Sequence, residues 1–150
     1  MVIKDAMYTY ELCRKYQEAL NRKDFDSIID LFTANATVKA PLLGEQDARA
    51  FHAHVFESGG YAVTRLTNVF DGLHKARSVA LQFLYTWTFP GGRTVSVEGV
   101  SIFEIDEERR KFKRLTVIYD PTEIRRNLRE QQAEDAISRI RQKQPELLFA

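Results

Sequence analysis

The second half of the chain is dominated by segments in which every second side chain is apolar. Alternation of this kind is typical of half-buried strands. Four segments rich in Val, Thr, Phe, Tyr and Ile carry the pattern: Tyr61 to Phe70, Arg77 to Phe89, Thr94 to Ile105 and Phe112 to Tyr119. The turns between the last three segments are short, at Pro90-Gly91-Gly92 and at Asp106 to Arg110. The sequence therefore predicts an antiparallel meander joined by hairpins.

The alternation also assigns a core face to these strands. In the second and third segments the inward residues are largely apolar or aromatic: Val79, Leu81, Phe83, Tyr85, Trp87 and Phe89, then Val95, Val97, Gly99, Ser101, Phe103 and Ile105. The opposite face, which includes Val100, Ile102 and Ile118, is neither fully polar nor fully apolar. Such a mixed face commonly meets another protein surface, so we expect a homodimer formed through the open side of the sheet.

Apolar residues recur at helical spacing in the first part of the chain. This spacing predicts a helix from Tyr8 to Leu20, a short helix from Phe25 to Phe32 that Asp24 caps, and a third helix from Glu45 to Ser58. A β-prone segment, Ala36 to Pro41, lies between the second and third helices and predicts a short strand.

The C-terminal part of the chain has the features of a charged helix. Asp120-Pro121-Thr122-Glu123 combines an N-cap acid, a proline and a glutamate, and this order favours a helix start at Pro121. The tail from Pro145 to Ala150 is apolar and either docks on a groove or frays.

Composition limits the function classes open to this chain of 150 residues. A net charge of +1 gives no overall attraction to nucleic acid or to anionic lipid, so small neutral ligands fit better than either. The single cysteine, Cys13, excludes an internal disulfide and a cysteine metal cluster. No apolar run has the length of a membrane helix and the first residues do not resemble a signal peptide, so we expect a cytoplasmic protein.

The predicted order of helix, helix, strand, helix and meander resembles the nuclear-transport-factor-2-like superfamily, which includes SnoaL-like polyketide cyclases and ketosteroid isomerases. The segments Tyr16 to Asp26 and Leu31 to Val38 look like the opening helix pair and the start of the first strand in that family. The resemblance covers about Tyr8 to Leu128 as an order of elements.

That resemblance implies an α+β fold, a cone-like curved antiparallel sheet packed on three N-terminal helices with an added C-terminal helix. It implies a cone-shaped domain over residues 1–128 and a C-terminal helical extension and apolar tail over residues 129–150. It further implies a deep apolar pocket in a homodimer, without metal or cofactor.

Ketosteroid isomerases move a proton with a carboxylate base and hold the enolate oxygen with a tyrosine and a second acid. The resemblance matches the tyrosine to Tyr16, the base to Ala40 before Pro41, and the second acid to Ser101. A methyl group cannot take a proton, and a serine hydroxyl donates a hydrogen bond but does not titrate near neutrality. The sequence therefore argues against the isomerase mechanism as such, while a pocket of the same shape is still expected.

His52 is the strongest candidate for a substitute base. It follows Phe51 and precedes Val55 on the inward side of the third predicted helix, and an ordinary histidine pKa suits general-base work. The alternative is a helix-flank histidine hydrogen-bonded to backbone or water. His54 is expected to face solvent, and His74 lies in a predicted turn at the surface.

Other candidates have two interpretations as well. Tyr16 is either a phenol that points into a cavity or a core aromatic whose hydroxyl is satisfied elsewhere. Asp120 is either a polar group at a pocket mouth or the cap of the last helix. The aromatic side chains of the meander either line a cone or pack a core: Tyr85, Trp87, Phe103 and Tyr119.

We therefore predict a pocket for a small, hydrophobic, oxygen-bearing molecule of polyketide, terpenoid or steroid kind. Its expected lining is Leu12, Ala40, Phe51, Val55, Tyr85, Trp87, Phe103, Leu115, Tyr119 and Asp120. If the protein is an enzyme, the reaction moves a proton without a cofactor in an isomerisation, dehydration or cyclisation, with Tyr16, His52 and Ser101 as catalytic candidates. The alternative is a non-catalytic ligand-binding or dimerisation module. The two are distinguished by whether His52, or any acid, lies within about 3–4 Å of a position that also touches the Tyr16 hydroxyl, since the absence of both means binding alone.

Overall fold

The computed structural model describes residues 2–57, 61–71, 77–89 and 91–143. Within these ranges it contains helices at both ends of the chain and a sheet between them. In chain order the elements are α1 (Val2–Arg22), α2 (Phe25–Asp30), β1 (Phe32–Ala40), β2 (Gly44–Asp47), α3 (Ala48–Glu57), β3 (Tyr61–Asp71), β4 (Ser78–Thr88), β5 (Thr94–Asp106), β6 (Lys111–Tyr119) and α4 (Thr122–Lys143). The predicted α+β class and its element order are confirmed.

The six strands form one sheet in the order β2-β1-β6-β5-β4-β3. The four strands of the meander pair antiparallel with their neighbours, as their short turns predict. β1, in contrast, pairs parallel with β6, so the sheet is mixed. The chain leaves β1 through β2 and α3 and returns only after the whole meander. This non-local pairing has no signature in the local pattern of the sequence.

The predicted bounds of the second and third helices were wrong. The third helix does not start at Glu45, because Gly44–Asp47 first pairs antiparallel with β1 as β2. The Asp47 carboxylate then accepts a hydrogen bond from Ala50 N at 2.8 Å, which caps α3. The second helix does not extend to Phe32, because Phe32 opens β1 and pairs with Phe112.

Cross-strand pairs divide the inner face of the sheet into successive rungs, which we number from the end nearest the β5–β6 turn. The first contains Val79, Phe103 and Leu115, the second Leu81, Ser101 and Val117, the third Phe83, Gly99 and Tyr119, the fourth Tyr85 and Val97, and the fifth Trp87 and Val95. The predicted core face of β4 and β5 is thereby confirmed. A Cβ on Gly99 would lie 2.6 Å from both Ile118 O and Phe83 Cζ, so the third rung requires glycine.

Contacts along the chain separate two units, Met1–Asp120 and Pro121–Ala150. In the second unit, α4 begins with a hydrogen bond from Arg125 N to Pro121 O at 2.8 Å and carries an ion pair between Arg126 and Glu123. The predicted apolar tail from Pro145 lies outside the described residues, as does His74. In the described part of the chain, no helix has both the length and the apolar character that crossing a membrane requires.

Candidate functional site

Two of the predicted catalytic residues contact each other directly. The Tyr16 hydroxyl on α1 lies 2.9 Å from His52 Nε2 on α3. His52 Nδ1 lies 2.7 Å from Ala48 O, one helical turn earlier. A carbonyl oxygen only accepts, so Nδ1 must carry the ring proton and Nε2 of the neutral ring must accept from the Tyr16 hydroxyl. His52 therefore bonds a backbone carbonyl, as one of its two interpretations predicts, and it also bonds the Tyr16 phenol.

The pair lies in the aromatic part of the core. The Tyr16 ring contacts the rings of Phe103 and Phe112 edge-on, with centroids 5.1 and 6.2 Å away, and the His52 ring lies 5.0 Å from that of Phe51. His52 has no exposed surface and Tyr16 retains 6%. This end of the sheet, around its first rung, is filled by side chains.

Burial changes the proton affinity of both partners in opposite directions. It lowers the pKa of His52 to about 4, against a smaller opposing effect of the Ala48 carbonyl, because the charged ring loses its hydration. It raises the pKa of Tyr16 well above its usual value for the same reason. Near neutral pH both groups are therefore uncharged, and the proton of the bond belongs to the phenol.

The remaining predicted pocket residues fall into separate places. Leu12, Ala40, Phe51, Phe103 and Leu115 belong to the same buried cluster as Tyr16. Ser101, on the second rung, is half-buried. Trp87 lies at the far end of the sheet and stacks on Phe89 with centroids 4.9 Å apart. Asp120 is exposed, and so is His54, as the sequence predicts.

An open cleft lies one helical turn beyond the Tyr16–His52 pair. Leu20 follows Tyr16 on α1, and Val55 follows His52 on α3, by about one turn each. Both contribute to a lining that is completed by β3, β4 and the end of α1: Leu20, Lys23, Val55, Phe56, Ala62, Thr64 and Tyr85. Of the predicted pocket residues, only Val55 and Tyr85 are among them.

The cleft is shallow in its closed part and wide at its mouth. The cavity volume within it is about 20 Å³, and the space beyond this opens to solvent. A cavity of this volume has room for about one water molecule. A molecule bound here would have one end enclosed and the rest in the mouth.

Hydrogen bonds fix the end of α1 over one wall of the cleft. Asn21 Oδ1 accepts from Thr64 N at 2.9 Å, and Asn21 Nδ2 donates to Thr64 O, also at 2.9 Å. Gln17 Nε2 donates to the same carbonyl. The Asn21 amide thus takes the place of a neighbouring strand on the sheet edge at β3, and this contact sets the position of the cleft wall.

Tyr85 supplies a phenol to an otherwise largely apolar lining. Its pKa is raised to about 12, mainly by burial and further by the nearby Tyr119. The phenol therefore keeps its proton at neutral pH and can donate it to an oxygen in the cleft. Sequence analysis predicted Val55 and Tyr85 as pocket residues. It missed the other five residues of the lining: Leu20, Lys23, Phe56, Ala62 and Thr64. The sequence does mark the position of Lys23, because this residue lies at the break between the first two predicted helices.

Within the described ranges, His, Cys, Asp and Glu side chains form no group of three or more that could hold a metal ion. Cys13 is buried, and burial raises the pKa of its thiol to about 12.

The SnoaL-like domain family model matches residues 13–111 of this chain. A structure of PrhC from Penicillium brasilianum is 12% identical, with 88% of this chain and 92% of that chain covered at a TM-score of 0.71. A candidate polyketide cyclase from Xanthomonas campestris pv. campestris is 17% identical over 79% of this chain and 95% of that chain, with a TM-score of 0.69. TerC, crystallised with polyporic acid, is 16% identical over 79% and 96% of the two chains, with a TM-score of 0.69. No curated protein has a sequence that matches this one.

Proposed function

The chain belongs to the SnoaL-like domain family, and from that membership we propose that it binds a small, hydrophobic, oxygen-bearing molecule in the cleft between α1, α3 and the β3–β4 pair. The observation that carries this proposal is the lining itself. Leu20, Val55 and Phe56 offer apolar surface, and Tyr85 offers one hydrogen-bond donor beside it. A mostly apolar cleft with few polar groups is typical of small-molecule sites. TerC, whose fold is similar, was crystallised with polyporic acid, which also supports a small-molecule role.

The single tryptophan of the chain makes this proposal testable by fluorescence. Trp87 lies on the rung next to Tyr85, with ring centroids 6.4 Å apart. Titration with neutral aryl ketones, such as 4-phenylbutan-2-one, is expected to change Trp87 emission in a saturable way. Ala62→Leu fills the cleft and is expected to weaken binding at least about tenfold, a loss of about 1.4 kcal/mol.

Val63→Leu is the matched control for this experiment. Val63 follows Ala62 on β3, points to the opposite face of the sheet and is 39% exposed. This variant should bind as the parent does. Equal affinity of the Ala62 and Val63 variants, or no saturable signal with any ketone of the series, would refute binding in the cleft.

Proton transfer is the second candidate function, and the contact between Tyr16 and His52 favours it. The Tyr16 oxygen still has lone pairs, so it can accept a proton from a bound molecule while passing its own to His52 Nε2. The pair does not line the cleft, which begins about one helical turn away, so in this interpretation the reacting molecule has to reach inward from the cleft to contact the Tyr16 hydroxyl. In this interpretation the reaction is a cofactor-independent isomerisation, dehydration or cyclisation.

The two candidates are separated by proton exchange on a bound β,γ-unsaturated ketone. A catalyst is expected to exchange its acidic hydrogen for deuterium, with the rate lost in Tyr16→Phe and in His52→Gln while Trp87 still reports binding. Binding without exchange in the parent protein would assign the pair a structural role and leave a ligand-binding module.

We also propose a homodimer through the outer face of the sheet and a cytoplasmic location. The outer face supports the dimer, because Ile118 on β6 is 51% exposed there and lies beside Val100. Ile118→Lys is expected to lower the molar mass by half in light scattering at micromolar concentration. Ile137→Lys, at a site on α4 that is 49% exposed, is the control. A monomeric mass for the parent protein would refute the dimer.

A further inference from the structure

We propose that the closed end of the cleft selects ligands that present a methyl-sized apolar end, and that Leu20 and Val55 set this limit. This inference rests on the proposed binding function and names the class of ligand that the cleft admits. The cavity volume of about 20 Å³ holds one small group, because a methyl group is similar in size to a water molecule. A phenyl ring or a branched alkyl group exceeds this volume, so such a group has to stay in the open mouth.

Leu20 and Val55 form the floor of the cleft. Both residues line the cleft, and both pack against the buried core cluster behind it. They lie about one helical turn beyond Tyr16 and His52, so the filled aromatic part of the core begins directly behind them. The depth that a ligand can reach is therefore fixed by these two branched side chains.

The backbone of the β3 wall is already hydrogen-bonded, which favours an apolar group over water at the closed end. Thr64 N donates to Asn21 Oδ1 at 2.9 Å, and Thr64 O accepts from Asn21 Nδ2 at 2.9 Å and also from Gln17 Nε2. An enclosed water molecule needs about two to four polar partners, whereas the side chains of the floor offer only carbon atoms. A methyl group therefore fits the closed end better than a water molecule does.

The helix side of the cleft is braced from outside. The ring of Phe56, which lines the cleft, meets the ring of Phe25 edge-on with centroids 6.5 Å apart. The Arg49 guanidinium lies over the Phe25 ring, 5.4 Å from its centroid. Asn21 holds the opposite wall through Thr64. A larger group cannot widen the cleft without breaking these contacts, so the cleft discriminates by size.

A series of neutral ketones that differ at one end tests this limit. The group beside the carbonyl is methyl in 4-phenylbutan-2-one, ethyl in 1-phenylpentan-3-one and tert-butyl in 4,4-dimethyl-1-phenylpentan-3-one. Calorimetric titration of the parent protein is expected to give about tenfold weaker binding of the ethyl ketone than of the methyl ketone, and weaker binding still of the tert-butyl ketone. Hydrophobicity alone predicts the opposite order, because each added carbon favours transfer out of water.

Substitutions in the floor identify the source of the preference. Val55→Ala removes two methyl groups and is expected to bind the ethyl ketone at least as tightly as the methyl ketone, and Leu20→Ala enlarges the floor independently with the same expected result. Val55→Thr keeps the branched shape and should keep the preference of the parent. Val63→Ala is the matched control, since it removes the same two groups on the outer face of the sheet. Circular dichroism at the titration temperature verifies that each variant is folded.

The outcomes separate this inference from the proposed function. Affinity that is equal for the three ketones, or that rises with their size, in the parent protein overturns the size limit and leaves the cleft as a binding site. A methyl preference that persists in both Val55→Ala and Leu20→Ala overturns the role of the floor. If no ketone binds while the protein is folded, the proposed function itself fails.

Discussion

The two ends of the space between α1, α3 and the sheet differ in what fills them. Around the first rung, Tyr16, His52 and Phe103 interlock, and the polar atoms of Tyr16 and His52 are satisfied by each other and by Ala48. One helical turn further, Leu20 and Val55 leave a cleft open. The comparison teaches that the two ends of one framework can pack differently, since the residues predicted as catalytic lie in the core while the open space lies one turn further along the helices.

Truncation of one phenylalanine at each end provides the largest contrast. Phe103 is completely buried, and Phe103→Ala is expected to lower the free energy of unfolding by about 4 kcal/mol. Phe56 lines the cleft and is only half-buried, so Phe56→Ala is expected to cost about 1 kcal/mol. Urea unfolding of both variants measures the difference. Similar losses of unfolding free energy at the two positions would contradict the claim that side chains fill one end of this space and leave the other end open.

The pH dependence of stability tests the buried end next. The pKa of His52 lies at about 4 in the folded protein, below its ordinary value of 6.5, so the unfolded chain takes up the proton first as pH falls. Neutral His52 therefore contributes about 3 kcal/mol to the free energy of unfolding above pH 6.5. This contribution is lost as the pH falls from 6.5 to 4. Urea titrations across this range should show the loss in the parent protein and in His54→Gln, but not in His52→Gln. Parallel pH profiles of unfolding free energy for the parent protein and both variants would contradict this role of His52.

Removal of the Tyr16 hydroxyl has a smaller effect. Tyr16→Phe leaves His52 Nε2 buried without its donor, and we expect a loss of about 2 kcal/mol in unfolding free energy. In a double-mutant cycle with His52→Leu, the two losses should be less than additive, because either change already breaks the bond. Strict additivity would mean that the two residues contribute independently.

The smallest effect is a gain in stability at the cleft end. Lys23→Gly relieves the left-handed backbone and is expected to raise the free energy of unfolding by about 0.5–1 kcal/mol. Arg110→Gly relieves the same strain at the β5–β6 turn and should give a similar gain. Thermal melting measures both.

Local patterns predicted the four strands of the meander well, and the first two strands and the helix boundaries less well. Alternation located β3 to β6 to within a residue or two, since half-buried strands leave a period that the sequence carries directly. Helical spacing failed at Glu45, where pairing with β1 draws Gly44–Asp47 into the sheet. It failed at Phe32 for the same reason, because β6 supplies a partner from the other end of the chain.

The candidate site shows the same division between local and non-local information. The sequence placed Tyr16 and His52 on inward helix faces, because each belongs to an apolar stripe. It could not determine that the two side chains bond each other, since they come from different helices and meet only through packing. Thr64 and Lys23 were missed because their roles depend on the edge of the sheet and on the left-handed end of α1.

By itself, the sequence determined the family, the α+β class and the inner face of the meander, because residue order and periodicity encode local structure and which side is buried. Tertiary structure alone decided that the parallel pairing of β1 with β6 makes the sheet mixed. It also decided that Tyr16 closes onto His52 and that the open space lies beside Leu20, Lys23 and Tyr85. These outcomes depend on contacts between distant segments, whose geometry is set by how the whole core packs.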